Sequence, residues 1–239
     1  MRFSLDAEKL SRPASALVGK VSRVLEAQSR RRQQNVENIT AMAFSFLSPE
    51  GAPEKLDDAW LELFYNNAQV ISDRHMQLVW AKVLAGEANL PGSFSRRAVS
   101  ALVPFDRADL EMLTRIRGAC IRFDKLVLFV YDLKDRIYGD NGITFSALLH
   151  LDEIGLVNFT ETTEHSSITT DGLRGSVQYF DEKIMLELAP QQKLYTGLVA
   201  LTKIGEELAG VCESEPVPGF PSYIRRYWSL LGVKLSPAA

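Results

Sequence analysis

Residues 60–105 read WLELFYNNAQVISDRHMQLVWAKVLAGEANLPGSFSRRAVSALVPF, and this stretch decides the fold of the first half of the chain. It predicts three helices separated by two turns, at Ser72-Asp73 and Pro91-Gly92. The middle helix has the clearest pattern in the chain, because its apolar residues recur three and four positions apart. They are Met76, Val79, Trp80, Val83 and Leu84. Connections this short predict neighbouring helices packed in one bundle.

An amphipathic helix is predicted to precede this stretch. Pro13 suits the first helical position, where a missing N–H has no partner to lose. Apolar residues then recur on one face, namely Ala14, Leu17, Val18, Val21, Val24 and Leu25. A polar patch at residues 28–35 separates this stripe from a second one beginning at Val36, so the helix either bends there or changes its packing partner. We expect Leu17, Val18, Val21 and Leu25 to form an oligomerisation surface, because the stripe exceeds what a lone solvated helix needs.

The second half of the chain has a mixed pattern. Residues 126–131 are β-branched and aromatic, which favours a buried strand, although a helical segment of that length fits equally. Thr144 is a predicted helix cap, and its helix ends at Gly155. Two strands, at residues 156–161 and 177–188, then form a loose hairpin. A short helix, a glycine turn and a hairpin follow one another in this order in winged-helix modules.

The predicted fold class is therefore α+β and mainly helical. We divide the chain into a basic amphipathic helix at residues 1–35, an antiparallel helical bundle at 36–118 and a winged-helix-like domain at 119–239. The net charge of −3 conceals a basic start and an acidic end, since Lys and Arg predominate in residues 1–36 and Asp and Glu in residues 140–239.

Cysteine usage and hydropathy predict a compartment. Cys120 and Cys212 are distant in sequence and form no CxxC motif, which is typical of a reducing, cytoplasmic location. The longest apolar run, residues 126–131, is far shorter than the roughly 20 residues that a transmembrane helix needs. We therefore expect no transmembrane segment.

Motifs for catalysis and cofactor binding are missing from the sequence. It contains no GxxxxGK[ST], no GxGxxG and no GxSxG, so the usual signs of nucleotide hydrolysis, dinucleotide binding and hydrolase chemistry are lacking. His75, His150 and His165 form no HxxxH or HExxH pair, which disfavours a metal site. We expect a protein that is not an enzyme and that has no catalytic residues, metal or cofactor.

Two basic segments are candidate binding sites. Ser93, Ser95, Arg96 and Arg97 follow a turn and open a helix, so their hydroxyls, backbone N–H groups and guanidinium groups suit an anion. The alternative is that a serine only caps the helix and both arginines are solvated. Arg30, Arg31 and Arg32 form a basic patch, which is either a solvated face or a contact for nucleic-acid phosphates.

The charge of the winged-helix-like domain bears on its partner. Its candidate recognition helix, residues 144–154, contains no Lys or Arg, which disfavours DNA binding through that helix. A protein contact is compatible with this acidity. The expected partner is a second copy or another protein. Nucleic acid at Arg30–Arg32 and a membrane surface along the N-terminal helix are the alternatives.

Three segments carry a resemblance to a known family: RRQQNVENITAMAFSFL at 31–47, WAKVLAGEANLPGSFS at 80–95 and LLHLDEIGLV at 148–157. They resemble a family of uncharacterised bacterial proteins allied to the alpha-type abortive-infection proteins. The resemblance implies a bacterial source, a helical domain, a smaller mixed domain and a role in phage defence, and it implies no catalytic residues. We therefore expect a regulatory or interaction protein of the bacterial cytoplasm.

Overall fold

The computed structural model describes residues 12–159, 166–169 and 172–235, so the first eleven residues and His165 lie outside the described residues. It confirms a mainly helical α+β protein. The chain divides into two compact units, Met1–Pro91 and Gly92–Ala239. This division precedes the predicted boundary at residue 118, because the two helices that follow Gly92 pack against later helices of the second unit.

The first unit is helical throughout its regular structure. Helix α1 is continuous over Arg12–Ala43 and runs through the polar patch without a break. Two short 3-10 turns follow, Phe44–Phe46 and Pro53–Lys55. Helices α2, Asp58–Ala68, and α3, Arg74–Asn89, complete the unit.

Aspartates begin both of the later helices of this unit. The carboxylate of Asp57 accepts a hydrogen bond from the N–H of Trp60 at 2.7 Å. Asp73 does the same for the N–H of Met76 at 2.9 Å. The hydroxyl of Ser72, the other residue of the turn before α3, instead accepts a hydrogen bond from the side chain of Asn35. Ser72 is therefore engaged in a tertiary contact, and Asp73 caps α3.

The C-terminal part of α1 packs against α2 and α3. Ile39 is fully buried there. Three aromatic rings lie next to one another in the core of the unit. The ring centroid of Phe64 is 5.2 Å from that of Trp60 and 5.2 Å from that of Trp80. These are the residues that the helical periodicity placed on apolar faces.

The second unit contains six helices among its described residues. They are α4, Arg96–Leu102; α5, Arg107–Arg117; α6, Arg136–Gly139; α7, Phe145–Glu153; α8, Lys203–Ala209; and α9, Phe220–Leu230. Four begin at a cap whose side chain accepts a backbone N–H, namely Ser95, Asp106, Thr144 and Thr202. Asp106 forms a full capping box with Asp109. The helix start that the sequence predicted at Thr144 is therefore confirmed.

Short strands make up the rest of the second unit. They are β1, Cys120–Arg122; β2, Leu126–Leu128; β3, Val157–Phe159; β4, Ser166–Thr169; β5, Leu173–Tyr179; β6, Glu182–Leu188; β7, Lys193–Gly197; β8, Val199–Leu201; and β9, Lys234–Leu235. Strands β2-β1-β5-β6-β9 form one sheet in that order, with antiparallel pairing throughout. β3 pairs with β8, and β4 pairs with β7, both antiparallel.

Two expectations about the strands are wrong. The segment 177–188 is not one strand, since the chain turns at Phe180, which has a φ of 50°, and β5 pairs with β6 across that turn. The predicted hairpin between residues 156–161 and 177–188 does not form, because β3 pairs with β8 instead. Alternation of apolar residues continues on both sides of the turn, so the pattern alone did not reveal it.

Candidate interaction surface on the N-terminal helix

The N-terminal half of α1 presents apolar side chains to solvent. We call these residues the α1 stripe: Ala14, Leu17, Val18, Val21, Val24 and Leu25. Leu17 is 63% exposed and Leu25 is 47% exposed, and Val21 and Val24 are exposed as well. Single exposed apolar residues are common on proteins, but a contiguous row of them marks an interaction surface.

The α1 stripe lies on the same face of the helix as the residues that pack inside the first unit. Successive positions four and three residues apart trace this face along the helix. They are Val21, Leu25, Gln28, Arg32, Asn35 and Ile39. Ile39 has 0% exposure, whereas Val21 is 43% exposed. One face of α1 is thus buried at its C-terminal end and bare at its N-terminal end.

A polar segment of the face separates these two ends. Asn35 is buried, and its Nδ2 donates to the carbonyl of Gln69 at 2.9 Å and to the hydroxyl of Ser72 at 3.2 Å. Gln77 donates through Nε2 to Oδ1 of Asn35 at 3.1 Å and to the carbonyl of Ile71 at 2.9 Å. These hydrogen bonds join α1 to α3 and to the turn before it. They fix the point from which the N-terminal half of α1 extends with its apolar side chains exposed among the described residues.

A groove begins at this point of the first unit. It has a volume of ≈ 660 Å³ and is lined by Leu25, Gln28 and Arg32 of α1 and by Tyr65 and Gln69 near α2. Leu25 therefore belongs both to the α1 stripe and to the groove wall. The exposed apolar row continues into a concave surface rather than ending on a convex one.

The predicted basic patch lies on the same helix. Arg30, Arg31 and Arg32 are all exposed. Within the part of the chain that the structure describes, none of the three makes an ion pair or a side-chain hydrogen bond. Arg32 also lines the groove. The arginines therefore give the bare half of α1 a strongly positive end.

The predicted anion site at the start of α4 already contacts a carboxylate of the protein itself. Oε2 of Glu207, on α8, accepts hydrogen bonds from the backbone N–H of Ser95 at 2.8 Å and from its hydroxyl at 2.9 Å. Arg96 and Arg97 are exposed, and Ser93 is half-buried. An external anion at Ser95 would have to displace Glu207, which is buried.

The two described histidines have different surroundings. His75 is exposed in the first turn of α3. Nε2 of His150, on α7, lies 2.6 Å from Oδ1 of Asp109 on α5. The neighbouring Asp152 accepts the N–H of Phe159 instead. No sequence signal indicated the pairing of His150 with Asp109, because the two residues are 41 positions apart.

The described residues contain neither a cluster of metal ligands nor a membrane-spanning helix. Among residues 12–159, 166–169 and 172–235, no group of three His, Cys, Asp or Glu side chains is arranged to hold a metal ion. In the same residues, no helix has the length and apolar character required to cross a membrane.

Comparisons with known proteins give the family of the chain. No curated protein and no solved structure matches it. A family model matches residues 20–225, which include part of the α1 stripe and most of the second unit. Because the match covers well over half of the sequence, the chain belongs to the family described as Protein of unknown function (DUF2806).

Proposed function

We propose that this chain is a non-enzymatic interaction protein of the bacterial cytoplasm that self-associates through the α1 stripe. The observation that carries the proposal is the bare N-terminal half of α1, whose apolar face is continuous with the face buried around Ile39. Exposed apolar side chains on a rigid helix lose unfavourable contact with water when a second apolar surface covers them.

A second copy of the same chain suits this surface. Ala14, Val18, Val21 and Leu25 are separated by four, three and four residues, which is the spacing of a coiled-coil seam. Each copy brings the same seam, and a two-fold axis brings one surface against its equivalent. No other chain is required to complete such an interface.

Charge selects the direction of the pairing. In a parallel pair, the two Arg30–Arg32 patches would lie side by side and repel each other. An antiparallel pair places the patches at opposite ends of the interface. We therefore propose an antiparallel pairing of two α1 helices.

Light scattering after size-exclusion chromatography tests this proposal. We expect the wild-type protein to have at least twice the mass of one chain. The associated fraction should rise with protein concentration. Val21→Glu with Leu25→Glu places charges in the seam and should give a monomer. The control, Ala16→Glu with Ala27→Glu, adds the same charge to exposed positions on the opposite face of α1 and should leave the mass unchanged. A wild-type monomer at every concentration would refute self-association.

Nucleic acid and membranes are the competing partners for this helix. Anisotropy with labelled duplex DNA, measured against salt, detects binding by Arg30–Arg32, because each phosphate contact adds to the salt dependence. Sedimentation with anionic vesicles detects binding of the apolar face to lipid. If the wild-type chain stays monomeric while the seam variant loses vesicle binding, the surface is a membrane contact and not a protein interface.

The proposed fold of each unit is consistent with a role in protein contact. We assign the first unit to the antiparallel helical bundles and the second to winged-helix-like folds, on the order α7, Gly155, β3 and β8. α7 contains no Lys or Arg, so it lacks the cationic side chains with which a recognition helix meets the phosphates of duplex DNA. The DNA titration also tests this assignment, since binding that survives neutralisation of Arg30–Arg32 would point to the second unit.

The role in phage defence is proposed from the resemblance of residues 31–47 and 80–95 to proteins allied to alpha-type abortive infection. Phages should form fewer plaques on bacteria that express the wild-type chain than on bacteria that express the seam variant. Equal plaque numbers for both strains and for cells without the gene, over a panel of phages, would remove this part of the proposal. Self-association would be unaffected by that outcome.

A further inference from the structure

A second surface feature lies in the second unit, away from the α1 stripe in sequence. A pocket of ≈ 370 Å³ is lined by Met112 and Arg115 of α5, by Gly142, and by Thr144, Ser146 and His150 at and within α7. Its volume is in the range of small-molecule sites. The polar lining side chains are a guanidinium, an imidazole and two hydroxyls, and none of the lining residues is an acid.

Arg115 supplies the positive charge of the pocket. Its side chain is exposed and, among the described residues, it makes no ion pair and no side-chain hydrogen bond. It lies against Gly142, where an added Cβ would come within 2.9 Å of Cδ and 3.1 Å of Nη1 of Arg115. Gly142 has a φ of +72°, which favours glycine, and its missing side chain leaves room for Arg115. The guanidinium thus lies close to Gly142, and no acid of the described residues pairs with it.

His150 is held in place by a carboxylate of α5. Nε2 contacts Oδ1 of Asp109 at 2.6 Å, while Oδ2 of Asp109 accepts the N–H of Asp106 at 2.9 Å. Both oxygens of this carboxylate are therefore used by the protein. Nδ1 of His150 is the ring's remaining polar atom, and it donates when the ring carries both protons.

Two hydroxyls complete the polar lining. Oγ of Ser146 and Oγ1 of Thr144 lie 3.1 Å apart, and Thr144 accepts the N–H of Ala147. Ser146 is therefore engaged with Thr144 and is not hydrogen-bonded to His150, although the two lie one helical turn apart. This arrangement favours binding of an oxyanion over activation of a serine nucleophile.

We propose that the pocket binds a small phosphate monoester. A guanidinium binds two phosphate oxygens at once, and hydroxyl groups donate to the others. A small ligand fits better than a polyanion, because Asp152 and Glu153 at the end of α7 would repel a long phosphate backbone. The proposal does not depend on self-association through α1.

Isothermal titration of the full chain tests the proposal with three probes: inorganic phosphate, a nucleoside monophosphate and the same nucleoside without phosphate. We expect heat from the first two and none from the nucleoside. Arg115→Gln should raise the Kd for phosphate by about tenfold or more, since a charge-assisted hydrogen bond is lost. Arg174→Gln removes an equal charge from an exposed position on β5 and should leave the Kd unchanged.

Gly142→Ala provides a second test that keeps the charge of Arg115. The added methyl group would displace the guanidinium, so we expect weaker phosphate binding while the circular dichroism spectrum stays native. The proposal would be overturned if neither phosphate probe produced heat with the wild-type chain. It would also be overturned if Arg115→Gln and Arg174→Gln weakened binding equally, because that result describes general charge attraction.

Discussion

Glu207 accepts two hydrogen bonds from Ser95, one from the backbone N–H at 2.8 Å and one from the hydroxyl at 2.9 Å. The two residues are 112 positions apart, and they join the start of α4 to α8. The same hydroxyl accepts the N–H of Ala98 as the cap of α4. A carboxylate at a helix N-terminus is stabilised by the helix dipole as well as by these donors. This contact therefore stabilises both the start of α4 and the packing of α4 against α8.

Replacing this carboxylate should destabilise the second unit. Glu207→Gln removes the negative charge and weakens both hydrogen bonds in a buried place, so we expect the free energy of unfolding to fall by about 1–3 kcal/mol. Urea unfolding followed by circular dichroism measures the change. Glu206→Gln is the control, because the side chain of Glu206 makes no hydrogen bond or ion pair with any residue that the structure describes. Equal effects of the two variants would show that Glu207 acts only through net charge.

Substitutions of Asn35 and Gln77 should have non-additive effects on the free energy of unfolding. Replacing either by Ala leaves buried polar groups of the other without a partner, at a cost of about 1–3 kcal/mol. The double variant should cost less than the sum of the single variants, with a coupling of about 1 kcal/mol in urea unfolding. Gln34 and Asn38 provide a matched exposed pair on α1, joined at 3.0 Å, whose coupling should stay below about 0.5 kcal/mol. Additive effects at Asn35 and Gln77 would contradict the prediction.

Because Tyr179 is buried, we expect the protein to lose stability at alkaline pH. Its buried hydroxyl donates to the carbonyl of Gly118 at 2.8 Å and accepts the N–H of Val217 at 2.8 Å. Burial raises the pKa of Tyr179 to about 12, above the value of about 10 in an unfolded chain. The neutral phenol therefore stabilises the fold fully below pH about 10, and this contribution is lost as the pH rises through about 12.

Tyr179→Phe should be less stable than the wild-type chain near neutral pH and should lose less stability between pH about 10 and about 12. Urea unfolding midpoints across that range measure both effects. Tyr195→Phe, at a side chain that is 43% exposed, is the control. Burial also raises the pKa of Tyr131 and Tyr138, so some alkaline loss should persist in every variant. Parallel curves for Tyr179→Phe and the wild-type chain would contradict the prediction.

The two cysteines should differ in reactivity. Cys120 is buried in β1, and burial raises the pKa of its thiol to about 12, which suppresses the reactive thiolate. Cys212 is half-buried. In a Cys212→Ser variant, we expect an aromatic disulfide reagent to react only after denaturant is added. Cys120→Ser should retain a thiol that reacts in the folded protein. Immediate reaction of the Cys212→Ser variant would show that β1 opens readily.

The sequence by itself determined the features that depend on residues close together along the chain. The cap at Thr144 was readable, because a capping side chain reaches an N–H only two or three residues away. The apolar faces of α1 and α3 were readable for the same reason, since a helix places residues three and four apart on one side.

The tertiary structure alone decided which of those faces are covered. Val21 and Ile39 have the same periodic signature in α1, yet the first is exposed and the second is fully buried. It also decided that β3 pairs with β8, that Glu207 rather than an external anion contacts Ser95, and that His150 meets Asp109 beside Arg115. Each of these contacts joins residues distant in sequence. Spacing along the chain fixes the direction in which a side chain points from its own element, whereas its partner depends on how the elements pack.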